Sequence, residues 1–295
     1  MSFVNLQYQI GHTAIEIITT GVSHYHPNHV FNDDLSSKFL KNTIDIDYTV
    51  TLEIHALPVD FGIDLEKLIL CHNLDDGRWI YLSFDKWIAL FNEQESRFVL
   101  FLRNFRVFSE AYKSTLSFLF KYFTKDIGTF FHSAGIQIAD HNYIFLAPSG
   151  TGKTTLSLRA QKGGLPVLSD EMVFVSKNGG CFVAYSSPFG RITDGPLEAP
   201  LGGIFFLKQG TAARFSRINS SQALARAWQD SYYRDTVLDF SDQKLRFKNR
   251  IVTPAERLKI FDLWHELFST VPCFEMEFPI DFDDWHKLAE LVENA

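Results

Sequence analysis

From residue 13 to about 105 the apolar positions fall in short runs of β-branched and aromatic residues: "TAIEIITTG", "YTVTLEIHAL", "KLILCHN", "WIYLSFD", "WIALFN" and "RFVLFLRNF". Runs of this length predict strands, and turn formers such as "NLDDG" at 73–77 and the polar "NEQES" at 92–96 separate them. Their succession predicts a mostly antiparallel meander. The period changes near residue 106. In "SEAYKSTLSFLFKYF" (109–123), Tyr112, Leu116, Leu119 and Phe123 recur at steps of three or four, which predicts a helix with that face buried and Ser109 as its N-cap. The expected division is therefore a β-rich N-terminal domain over 1–106 and a second domain over 107–295, bridged by this helix.

In the second half, "FFHSAGIQIAD" and "YIFLA" predict a strand pair around the "DHN" turn at 140–142. Further strands are expected at "CFVAYS" (181–186), "GGIFFLKQ" (202–209) and "CFEMEFP" (273–279). Thr253, Pro254 and Glu256 form a capping-box start with proline at the first helical position. That helix, running to about 269, carries Phe261, Trp264 and Phe268 on one stripe, and a last helix covers about 283–293. Strands and helices mix without a clean βαβ alternation, so the fold class is expected to be α/β with a mixed, partly antiparallel sheet around a nucleotide-binding core.

The chemistry begins at "APSGTGKT", residues 147–154, which fits the phosphate-loop pattern with alanine in the position where the strict form has glycine. Such a loop turns consecutive backbone N–H groups into one concavity, and Gly150 and Gly152 permit the dihedrals this needs. An apolar strand before it ("YIFLA") and a helix after it ("TTLSLRAQ") supply the context the motif requires. The helix adds the positive end of its dipole, the Lys153 ammonium reaches the β and γ phosphates, and the Thr154 hydroxyl can ligate magnesium. Asp170 and Glu171 end the next strand, with Asp170 17 residues after Lys153. A helix of about ten residues, the "KGG" turn and a short strand return these acids to the loop, where one can bind magnesium or take a proton from an acceptor hydroxyl.

Composition removes competing classes. The 295 residues are 46% hydrophobic and 21% charged, which is ordinary for a globular chain able to bury a core. A formal net charge of −7 offers no general attraction to nucleic acid or an anionic membrane, so neither is expected as a partner. Cys71, Cys181 and Cys273 form no CxxC pair, which suits a reducing compartment. The start "MSFVNLQYQIGHTAIEII" lacks a signal peptide's basic segment and continuous apolar core, and no run of about 18 apolar residues occurs. A cytoplasmic address is expected.

"HSAGIQIADHNYIFLAPSGTGKTTLSLRAQKGGLPVLSDE" resembles the core of HPr kinase/phosphorylase and its relatives, a superfamily shared with the ATP-dependent phosphoenolpyruvate carboxykinases. His132 lies 15 residues before Ala147, as that family's histidine lies before its loop, and Asp170 stands where the first of its paired aspartates does. The resemblance covers about 127–175 in motifs and general layout to about 280. It implies that Ser149, Gly150, Thr151, Gly152, Lys153, Thr154 and Thr155 hold ATP or another nucleoside triphosphate. It further implies that Thr154, Asp170 and Glu171 serve magnesium, that Asp170 is the base on an acceptor serine, and that His132 sits beside Asp170 and tunes it. The catalytic set is thus Asp170, Lys153 and His132, and the implied activity is phosphoryl transfer to a serine or threonine of a peptide or protein. The family's arginine- and glycine-rich signature is absent from "YSSPFGRITDGPLEAPLGGIFFL", where Arg191 is the nearest candidate for a cationic contact to the transferring phosphate. That loss argues against HPr itself as substrate and against the reverse phosphorolysis.

Other readings stand beside this one: a metabolite kinase, a carboxykinase, which the short chain opposes, and a nucleotide-gated binding module without turnover. Self-association into a homo-oligomer stays open. His24, His26 and His29 in "SHYHPNHV" lack a carboxylate or cysteine to complete a zinc set and read as a polar loop. Six cations between Lys244 and Lys259 read as a solvated face.

Overall fold

Two hydrogen-bonded sheets, both of mixed direction, hold the described chain in a computed structural model that covers residues 4–21, 45–56, 79–84, 87–92, 95–102, 106, 108–229, 254–279 and 281–293. The "KLILCHN" and "NLDDG" stretches, Cys71, the three histidines at 24, 26 and 29, and most of the cationic run after 244 lie outside the described residues.

The first sheet contains β1 (Val4–Ile10), β2 (Thr13–Gly21), β3 (Tyr48–Ala56), β4 (Trp79–Phe84), β5 (Trp87–Asn92) and β6 (Arg97–Leu102), in the order β1-β2-β3-β6-β5-β4. Pairs β1–β2, β4–β5 and β5–β6 are antiparallel, but β3 runs parallel to both β2 and β6. This corrects the meander: parallel neighbours need a crossover rather than a tight turn, and local turn signals do not reveal one. Strand β1 is an addition. Its polar Asn5, Gln7 and Gln9 mask an alternation in which Leu6, Tyr8 and Ile10 are buried.

Helix α1 (Phe108–Thr124) begins one residue earlier than expected, so Ser109 lies inside its first turn instead of capping it. Tyr112, Leu116 and Leu119 are buried as the periodicity requires, while Phe123 is half-buried and stacks on Tyr48 at 4.1 Å between ring centroids. One apolar cluster runs from Tyr8, Ile17, Leu52 and Leu100 of the first sheet through Tyr112, Leu116 and Phe120 of α1 to Phe130, Met172, Phe174 and Tyr185 beyond it. The helix is the shared filling between the two sheets.

The second sheet contains β7 (Gly128–Phe131), β8 (Ser133–Ile138), β9 (His141–Leu146), β10 (Val167–Ser169), β11 (Val173–Asn178), β12 (Cys181–Tyr185), β13 (Glu198–Gln209), β14 (Arg214–Arg217) and β15 (Cys273–Phe278). Its long strand β13 begins four residues before the expected start. It pairs antiparallel with β12 over 198–200, parallel with β9 over Leu201–Phe206 and parallel with β15 over Ile204–Gln209. Of the three parallel strands, β9 ends first, with Leu146 opposite Phe206, and β13 and β15 run on to end level at Gln209 and Phe278; open parallel arrays place ligands outside such carboxyl ends. The β8–β9 turn is tighter than "DHN", since His141 and Asn142 already pair and Ala139 takes the strain at φ 50°.

Helices α2 (Lys153–Lys162), α3 (Ser220–Gln229), α4 (Pro254–Thr270) and α5 (Trp285–Glu293) complete the described elements. On α4, Ile260, Trp264, Leu267 and Phe268 are buried, and the Trp264 indole N–H donates to the Thr129 hydroxyl at 3.0 Å. The expected stripe is corrected at Phe261, which is 41% exposed because the buried face is centred one residue away, on Ile260 and Trp264. No helix among the described residues is long and apolar enough to cross a membrane. These two positions give a direct check by urea denaturation: Trp264→Ala is expected to cost about 3–5 kcal/mol through its cavity and orphaned hydroxyl, and Phe261→Ala only about 0.5 kcal/mol. Equal losses would refute the assignment of the buried face.

Candidate functional site

The carboxyl end of β9 leads directly into the 147–154 loop. Ala147 is buried, Pro148, Ser149 and Gly150 are exposed, and the chain turns back when the Thr151 N–H donates to the Pro148 carbonyl at 3.3 Å. Gly150 (φ 83°) and Gly152 (φ 115°) both occupy the left-handed region that a side chain rarely tolerates. Gly152 is also the N-cap of α2, with no side chain capping it, so the first-turn N–H groups face the loop without a side-chain acceptor.

Lys153 is folded inward. Its side chain is 6% exposed, and its Nζ donates to the carbonyls of Ala147 at 2.7 Å and Pro148 at 3.3 Å, which closes the loop onto its own first residues. Gln209, at the end of β13, steadies the far side by donating to the Thr151 carbonyl at 3.1 Å. Beside the loop lies a cleft of about 230 Å3 lined by Thr151, Gly152, Thr155, Gln209, Gly210 and Phe278. It opens where β13 and β15 end.

Asp170 follows β10 and is 2% exposed. One carboxylate oxygen accepts the Thr154 hydroxyl at 2.8 Å; the other accepts the backbone N–H groups of Arg191 at 2.7 Å and Ile192 at 3.1 Å. The 17-residue spacing thus does bring the acid back to the first turn of α2, through a ten-residue helix and a three-residue strand. Glu171 behaves differently. Its side chain is 46% exposed and forms an ion pair with His132 at 3.2 Å, while its backbone carbonyl accepts from the Ser133 N–H at 3.1 Å. The expected pairing of His132 with Asp170 is therefore corrected. The hydrogen bond between the 171 and 133 backbones brings His132 to Glu171, while the Asp170 carboxylate turns to Thr154 and the 191–192 backbone.

Oxygen donors from Thr154 and Asp170 suit a hard cation such as magnesium, which needs only one or two protein ligands when phosphate and water complete its shell. Among the described residues no group of three or more histidines, cysteines or acids is gathered as a full metal cage. Four contributors were not legible in the sequence. Gly190 passes so close to the acid that a Cβ there would lie 2.4 Å from Asp170 Oδ1 and 2.8 Å from Ser169 Oγ. Ser187 donates to the Met172 carbonyl. Asp194 accepts from the Val167 N–H at 2.7 Å. Lys121 of α1 is buried near Glu171; burial pushes its ammonium down to about 8, and the carboxylate opposes that shift. Only their three-dimensional neighbours give these residues meaning.

Comparison with known proteins adds little at the level of residues. No family model and no curated protein matches the chain. Among solved structures, the HPr(Ser) kinase/phosphatase from Coxiella burnetii aligns at 11% identity and a TM-score of 0.27, over 56% of this chain and 92% of that one. The site's internal packing can be tested without any ligand. Gly190→Ala must push the Asp170 carboxylate away from its two backbone donors, and the expected loss is about 1–3 kcal/mol in thermal or chemical unfolding. Gly163→Ala, at φ −77° and with nothing nearer than 3.3 Å to the added methyl group, is the control for a glycine outside the left-handed region. A smaller loss at 190 than at 163 would contradict the described contact.

Proposed function

We propose that this chain transfers the γ-phosphoryl group of ATP, with magnesium, to the hydroxyl of a serine or threonine in a peptide or protein. The observation that carries the reading is the hydrogen bond from Thr154 to Asp170 at 2.8 Å, at the start of a helix whose preceding loop has two left-handed glycines and an inward lysine. Those parts are what nucleotide phosphates need: converging N–H donors, a cation, and a hydroxyl and carboxylate for a divalent ion. The peptide acceptor comes from the resemblance to HPr kinase/phosphorylase.

The geometry favours exchanging two roles that the resemblance implied. A general base needs a lone pair that can reach the acceptor's proton. Asp170 is buried with both oxygens engaged, so it serves best as the fixed partner of Thr154; together they would hold magnesium, which supplies charge neutralisation to the phosphates when bound. Glu171 is half-exposed on the same turn with His132 orienting its carboxylate, and it serves best as the base. In the transfer, the acceptor oxygen bonds to the γ phosphorus as the bond to the β–γ bridging oxygen breaks. The electron pair leaves with ADP, and the hydroxyl proton passes to Glu171.

Single-turnover transfer from γ-labelled ATP to serine- and threonine-containing peptides tests this division. Glu171→Gln is expected to slow transfer by about 10²- to 10⁴-fold with nucleotide affinity retained, whereas Asp170→Asn is expected to raise the magnesium concentration required. Wild-type speed in Glu171→Gln would return the base role to Asp170. Failure of the wild type to label any hydroxyl while ATP binds would set the kinase reading aside.

A further inference from the structure

Resting on that reading, we infer that Arg191 supplies, from within the chain, the cation that meets the charge developing on the transferring phosphoryl group. Its backbone is held by the site itself, because the Arg191 N–H donates at 2.7 Å to the same Asp170 carboxylate that accepts the Thr154 hydroxyl. The segment around it is fastened on both sides. Ser187 donates to the Met172 carbonyl, and the Asp194 carboxylate accepts from the Val167 N–H at 2.7 Å and from Gln161 at 2.8 Å, while the Asp194 N–H donates to the Val167 carbonyl at 2.9 Å. Gly190 and Ile192 on either side are buried. The main chain at 191 is therefore fixed, one carboxylate away from the first turn of α2.

The side chain contrasts with its anchor. Arg191 is exposed, and among the described residues its guanidinium makes no hydrogen bond or ion pair. Other arginines of this chain are engaged: Arg97 binds Glu53 at 2.7 Å and Arg226 binds Glu275 at 2.7 Å. An exposed guanidinium whose backbone is held by the carboxylate that also binds Thr154 has a planar fork of donors that matches phosphoryl oxygens. Lys153 is drawn toward the carbonyls of Ala147 and Pro148, which leaves the transferring end of a bound triphosphate in need of a second cation. Phosphoryl transfer spreads charge over the three equatorial oxygens, and an arginine placed there stabilises the transition state far more than the bound substrate. A solvated surface arginine would show no such preference.

The test is a comparison of two complexes on the full chain. Binding of magnesium–ADP alone, and of magnesium–ADP with aluminium fluoride as a mimic of the transferring group, is measured for wild type and Arg191→Ala by calorimetry. The expected result is magnesium–ADP affinity within about twofold of wild type, an unchanged thermal midpoint, and a loss of about 10²- to 10³-fold in affinity for the fluoride complex. If the wild type binds both complexes and Arg191→Ala holds the fluoride complex equally well, this inference is overturned and the kinase reading survives. If the wild type binds neither complex, the kinase reading fails and this inference falls with it.

Discussion

A carboxylate buried to 2% exposure must find hydrogen-bond donors, and the three that Asp170 finds organise the site. They come from the first turn of α2 and from two successive residues of the 186–195 segment. Meeting the demand of one buried charge thus draws the glycine-rich loop, the end of β10 and that segment into contact. Gly190 has no Cβ because there is no room for one. The acid is a structural tie, and its neighbour Glu171, on the same turn, is half-exposed and paired with His132.

The rest of the fold delivers pieces to that tie. Parallel pairing of β9, β13 and β15 brings three strand ends to one edge, and the loop, Gln209 and Phe278 meet there around the cleft. Helix α1 also reaches the turn of Asp170 and Glu171. Its Ser117 hydroxyl lies 3.6 Å from the Met172 sulfur, and one turn later Lys121 is buried beside Glu171. The same helix packs Tyr112 and Leu116 into the first sheet, so one apolar cluster couples the β-rich half to the acid-bearing turn. A distortion of the first sheet would be felt at Glu171 through that packing, since close-packed cores transmit strain.

Much of this was legible from pattern alone. Apolar runs marked the positions of β2, β5, β6, β9, β12 and β15, the three- and four-residue steps marked α1, and the spacing from Lys153 to Asp170 foretold that the acid returns to the loop. What stayed hidden were relations between distant segments. Nothing local announces that β3 runs parallel to both neighbours, because a crossover leaves no turn signature. The Glu171 partner of His132 follows from a backbone hydrogen bond between Ser133 and Glu171, and the need for glycine at 190 follows from where Asp170 points. Side-chain direction at a strand end depends on the last residues of pairing, and Asp170 and Glu171, adjacent in sequence, accordingly face opposite surroundings.

The central claim is that the loop between β9 and α2 receives the phosphates of a nucleotide, with Lys153 as its cation. Calorimetric titration of a nonhydrolysable magnesium–ATP analogue tests it most directly. The account predicts saturable binding of one nucleotide per chain, dependent on magnesium and weakened strongly by Lys153→Ala. Equal binding by wild type and variant, or no binding by the wild type, would contradict it.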